Sequence, residues 1–185
     1  MIIETLEEDL HKAIKSNKQV ISRPIRVGKA SYVLSQCGVK ADQDITITKK
    51  VISKAMRCEN RDENGRLVGN TGHGLTETHI VSAIKELESP IMIFRGRNEK
   101  SLLVITSILD LKGRHIVIAM ECERQEGFTS VTSIRSIYGR DNLAFFIGEN
   151  IENGNLLAAK RKEADELLRS IGKSYPKENT FISYS

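Results

Sequence analysis

Apolar residues open the chain at three- and four-residue spacings: Ile2, Ile3, Leu6, Leu10 and Ile14. That is the period of one helix face, so residues 2–16 are expected to form an amphipathic helix. Its stripe needs a cover, either the body of the protein or a partner chain. The remainder reads as able to close a core alone, so residues 1–20 are expected as an accessory helix and 21–185 as one α+β domain. After Pro24, IRVG reads as extended and ASYVLSQCG as a short helix closed by Gly38. DITIT (44–48) alternates like a strand, and KKVISKAMR (49–57) is a basic helical stretch. Residues 58–74, CENRDENGRLVGNTGHG, form a long polar, glycine-rich loop of the kind that is usually functional or disordered.

A second clear helix covers residues 75–89, with Thr76 as the expected cap and Ile80, Ala83, Ile84 and Leu87 as its buried stripe. Pro90 stops it, and the period then changes. PIMIFRG, SLLVITSILD, RHIVIAMEC and FTSVTSIRSIYG are four strand-like runs separated by short polar connectors, the signature of consecutive antiparallel hairpins. DNLAFFIGEN and AAKRKEADELLRSIG read as helices, and FISYS as an edge strand. The expected fold is α+β, with helices packed on one face of an antiparallel four- to five-stranded sheet.

Composition narrows the classes of protein. The chain has 185 residues, 39% apolar and 28% charged, with three prolines and no Trp, which describes one globular domain with an aliphatic core. No run approaches the ~20 apolar residues of a membrane-spanning helix. The N-terminal segment carries acids and no cleavage site, unlike a signal peptide. Cys37, Cys58 and Cys122 form no CxxC pair, which fits a reducing cytosol and excludes zinc ribbons. The expected location is therefore cytoplasmic, including delivery into a target cell. The net charge of +4 is concentrated in residues 21–72, where ten bases face five acids, a distribution suited to an anionic partner such as RNA.

Candidate chemistry emerges by elimination. GNTGHG (69–74) lacks the GK[ST] ending of a phosphate-binding loop and follows no strand. His73 and His79 are six residues apart, about 240° around a helix, and cannot share a metal as an i, i+4 pair does. No compact acidic cluster suggests a magnesium site, and Gly-x-Ser-x-Gly is absent. No metal or cofactor is called for. His, Arg, Lys, Ser and Tyr remain, a vocabulary that suits cleavage of RNA by its own 2′-hydroxyl. His73 is the best placed general acid/base, at the end of the polar loop and just before a helix whose free N–H groups would hold a phosphate. His79 is expected to be structural, and His11 and His115 to be surface residues.

SIRSIYGR (133–140) is the second focus: alternation places Ser136 and Tyr138 on one face and Arg135 on the other. Arg95, Arg140, Lys54 and Lys160 are the candidate phosphate or RNA contacts.

From about residue 25 onward the ordered features resemble the phage MuF C-terminal domain family. The carrying residues are His73-Gly-Leu opening a helix, Pro90-Ile-Met-Ile-Phe94, the strands SLLVITSILD and RHIVIAMEC, Ser136-Ile-Tyr138-Gly139, NLLAAKRKEADELL, and Tyr175-Pro176 before FISYS. The resemblance implies a barnase–EndoU–colicin–RelE-like nuclease fold and a toxin or effector ribonuclease. It makes His73 the catalytic histidine and Ser136 and Tyr138 the sheet-side pair, with Lys160 at a basic position after the last strand-like run. It also implies RNA as substrate and an immunity protein, or a phage assembly docked through the N-terminal helix, as partner. One departure stands out: a Lys often precedes the histidine in the family, and here that position is Gly72. The chain also opens on its own helix in place of the large portal-associated region such domains usually follow, as a free-standing effector or a fragment would.

The expected function is thus a metal-independent endoribonuclease. The alternatives are a non-catalytic nucleic-acid-binding module of the same fold and a phage-associated interaction module.

Overall fold

The computed structural model describes residues 2–16, 23–66, 68–69, 72–175 and 181–185. Parts of the loop, Asn70 and Thr71 among them, lie outside the described residues, as does Pro176. The helices are α1 (Leu6–Lys15), α2 (Tyr32–Gln36), α3 (Lys49–Met56), α4 (Glu77–Lys85), α5 (Leu143–Glu152) and α6 (Arg161–Ser170). The strands are β1 (Ile25–Lys29), β2 (Asp44–Ile47), β3 (Met92–Arg95), β4 (Ser101–Leu109), β5 (His115–Glu126), β6 (Thr129–Gly139), β7 (Leu156–Lys160) and β8 (Ile182–Tyr184). They form a single sheet in the order β1-β2-β6-β5-β4-β3-β7-β8.

The α+β class holds, and the β3–β6 meander is antiparallel throughout. The sheet, however, has eight strands among the described residues and is mixed. β2 runs parallel to β6, with Ile45 opposite Thr132, and β8 runs parallel to β7, with Ala158 opposite Ile182. The smaller antiparallel sheet expected from the sequence is the middle of this one. Local patterning shows hairpins; it does not show that a strand from before α3 joins the meander some 80 residues later.

A second correction concerns residues 156–160. AAKRKEADELLRSIG reads as a helix from its first residue, but Ala158, Ala159 and Lys160 belong to β7, hydrogen-bonded to β3 on one side and β8 on the other. A five-residue apolar run carries no period that separates helix from strand, and the two neighbours decide. The helix begins only at Arg161.

Helices cover both faces of the sheet, not one. Along β3, Ile93 joins the core formed with α1–α4, whereas Met92 and Phe94 join a second core with Phe146, Ile147, Ala164 and Leu168 of α5 and α6. Alternation along the strand sends the two sets to opposite faces. The apolar stripe of α1 is covered by the body itself: Leu6 and Leu10 are fully buried in the first core. Ile2 adds a bridge to Gly28 on the outer side of β1, and its N–H donates to Glu88 Oε1 (2.8 Å). The helix expected as an accessory therefore packs as part of the main core. Among the described residues, no helix is long and apolar enough to cross a membrane.

Candidate functional site

The site forms where the polar loop meets one end of the sheet. A helix leaves its last carbonyls without partners, and α3 satisfies two of them with the segment that follows the loop. His73 N–H donates to the Lys54 carbonyl (3.2 Å) and Leu75 N–H to that of Ala55 (2.9 Å). Gly72 and Gly74 donate to the Cys58 and Arg57 carbonyls (3.1 and 2.8 Å). Leu75 is buried in the core and Gly74 turns the chain at φ +66°, so His73 is anchored on both sides. Gly72 is tied to the same contact: a Cβ there would overlap the Arg57 carbonyl. The backbone approach that holds His73 thus leaves no room for a side chain at position 72.

The His73 ring lies against Tyr138, with centroids 5.5 Å apart and planes tilted by 41°. Tyr138 and Ser136 pair with Val117 and Ala119 of β5, alternate positions of that strand, so both residues share one face. Arg135 departs from simple alternation. Ser136 pairs with Ala119 and Ile134 with Met120, which leaves Arg135 as the extra residue of a bulge, and its Nε reaches Glu121 Oε2 (3.3 Å).

Burial and then the Lys54 charge push the His73 pKa down, with Arg114 adding to the shift and Glu59 opposing it. The ring is therefore neutral near pH 7, and its Nε2 is enclosed with no hydrogen-bond partner. Lys54 is exposed on α3, as is Lys50 one turn earlier, so a basic helix face lies beside the histidine.

The other candidates separate. Arg140 follows β6 directly, with its guanidinium over the Phe146 ring at 4.3 Å and its Nε enclosed and unpartnered. Arg95 is at the other end of the sheet. Register places it level with Leu102, Met120 and Ile134, three residues along from the Tyr138 level and three strands across, about 10 Å by 14 Å. Lys160 ends β7, four strands from β6 or about 19 Å, and its Nζ is bound to Glu163 Oε1 (2.6 Å). Neither joins His73.

The helix N-terminus expected to receive a phosphate carries a capping box. Thr76 Oγ1 accepts from His79 N–H (3.2 Å), and His79 Nδ1 accepts from Thr76 N–H (3.2 Å), a reciprocal box with a histidine where Glu or Gln is usual. His79 is thus structural. His11 is exposed and ties α1 to Glu77 of α4 (3.1 Å), and His115 Nδ1 contacts the Thr106 carbonyl (2.9 Å). Among the described residues, no three His, Cys, Asp or Glu side chains gather as a metal ion requires.

A cluster that the sequence does not announce adjoins His73. Glu59 Oε1 accepts from Arg114 Nη2 (2.6 Å) and Oε2 from Lys112 Nζ (2.5 Å) and Arg61 Nε (3.0 Å). Arg61 and Arg114 also reach Asp141 (both 3.1 Å), and Arg114 Nε donates to Asp110 Oδ2 (2.7 Å). Burial raises the Glu59 pKa, but the three cations outweigh it and bring the carboxyl down to about 2. Gly139 completes the packing, because a Cβ there would overlap Asp110. Only the Asp110–Arg114 half has a local signal, an Asx-type turn before Gly113; Glu59 comes from the far side of the loop.

The model of the phage MuF-C-terminal domain matches residues 69–166, from the end of the polar loop into α6. No curated protein and no solved structure matches the chain. The match spans more than half of the chain, and the chain belongs to the phage MuF-C-terminal domain family.

Proposed function

We propose that this chain cleaves RNA without a metal ion, with His73 as the proton acceptor. The observation that carries the reading is an imidazole with an uncommitted Nε2, set against Tyr138 and beside the cationic face of α3, with its pKa pushed down by burial and then by Lys54. In such a reaction the 2′-hydroxyl of the substrate attacks the adjacent phosphorus as its proton passes to Nε2. The 5′-oxygen leaves with a proton from a second donor, for which the Tyr138 and Ser136 hydroxyls on the same face are the candidates. The products are a 2′,3′-cyclic phosphate and a free 5′-hydroxyl. Lys54 and Arg140 supply positive charge near the phosphate. The nuclease-like fold, the effector role and an immunity partner that the resemblance implies belong to this same proposal.

The enclosure of Nε2 favours a second reading, an interaction module of this family that does not cleave RNA. Incubation of the chain with RNA in excess chelator separates the two. Fragments with 2′,3′-cyclic ends, slowed about 10²- to 10⁴-fold by His73→Ala in a protein that remains folded, support the enzyme. The lowered pKa of His73 keeps its basic form available below pH 6.5, so the acid limb of the rate profile should lie below that of an ordinary histidine. Unaltered RNA, or cleavage insensitive to the substitution, supports the module.

A further inference from the structure

We propose that residues 58–66 are a latch that closes the His73 site and must open for His73 to meet its substrate. The inference rests on the reading of His73 as the proton acceptor and names the regulation of that same site. Three observations carry it.

First, His73 Nε2, the atom that would take the proton, is sealed from solvent and has no partner, while Glu59 and Arg114 are close enough to act on the ring's charge. The described state is therefore a closed one.

Second, the segment is fastened by side chains at two points. Glu59 holds Arg114 and Lys112 of the β4–β5 turn, and Arg61 holds Asp141 after β6. The backbone of the segment bonds mainly to itself: Asp62 and Arg66 pair across a tight turn (2.9 Å), Asp62 Oδ1 accepts from Asn64 and Arg66 N–H, and Val68 N–H donates to the Asn60 carbonyl (3.0 Å). Its hydrogen bond to the segment before His73 is Gly72 N–H to the Cys58 carbonyl. Release of the ion pairs would lift a self-contained turn without breaking a strand or a helix.

Third, the latch precedes the family-matched span, whereas its anchors Lys112, Arg114 and Asp141 lie within it. The fastening is thus a contact between a segment outside the family domain and the end of that domain's sheet. The cations it uses are also those an incoming phosphodiester would attract, so a polyanion competes with the carboxylates for them.

Carbethoxylation of imidazoles by diethyl pyrocarbonate, followed residue by residue in the full chain by mass spectrometry, tests the latch without RNA. In the wild-type protein His73 should label much more slowly than exposed His11. Arg61→Ala should speed labelling of His73 on the order of tenfold, the effect on a local opening of losing its charge-assisted contacts to Glu59 and Asp141, and leave His11 unchanged. Glu59→Gln should do the same, and raising NaCl to about 1 M on the unmodified chain should speed His73 severalfold with no substitution. His73 labelling as fast as His11 in the wild type, or unchanged by salt and by both folded variants, overturns the latch whatever the protein does to RNA. Faster labelling in a protein that never cleaves RNA supports the latch and removes the ribonuclease reading instead.

Discussion

Replacing Glu59 by Gln removes a charge from a carboxylate that joins the polar loop to the sheet. Its side chain is 7% exposed and accepts from Arg114, Lys112 and Arg61. Its pKa falls from 4.5 to about 2 on folding, which at 1.36 kcal/mol per unit sets an upper bound of roughly 3 kcal/mol. Lys112 is 53% exposed and its share is screened, so the expected loss at pH 7 is about 2 kcal/mol. Arg114 keeps Asp110 and Asp141 and is not left as an unpaired buried charge. Because the folded pKa lies below the unfolded one, the contribution is complete above pH 4.5 and disappears as pH falls through about 2. The gap between wild type and Glu59→Gln should be constant from about pH 5 to 8, roughly halved near pH 3, and small below pH 2. Urea unfolding followed by far-UV circular dichroism at each pH measures it directly. Equal stabilities at pH 7, or a gap that persists unchanged to pH 3, would refute the argument.

Two further outcomes follow from the packing. Leu10→Ala should cost about 3 kcal/mol, the usual loss for a fully buried leucine, with an unchanged denaturant slope; a loss below about 0.5 kcal/mol would return α1 to the accessory role. Gly72→Lys should lower stability by about 1–3 kcal/mol because its Cβ meets the Arg57 carbonyl, and should not increase RNA cleavage; a variant as stable as wild type would show that residues 72–75 can leave α3.

The elements whose signals are local were legible in the amino-acid sequence. Helix α4 has its cap, its stripe and its stop within fifteen residues, and the β3–β6 runs are spaced by turns that only hairpins satisfy. His73 stands out because it closes a polar loop ahead of that helix, and the shared face of Ser136 and Tyr138 follows from the two-residue period. Where the period failed, a long-range contact had decided the outcome. LLAAK became a strand because β3 and β8 flank it, and Arg135 left its expected face because a bulge opposite Met120 displaced it. The same holds for the site. Whether Arg95 or Lys160 stands near His73 depends on strand order, a property of pairings between residues far apart in the chain. The ion-pair cluster likewise depends on Glu59, Asp110, Arg114 and Asp141 meeting across more than eighty residues. No local pattern records such a meeting, because charges attract through space and each of these residues alone reads as ordinary surface. Helices and hairpins are written in local periods, as are the groups that hold the candidate chemistry; the strand order and the ion pairs beside His73 arise from pairings between distant residues that no local period records.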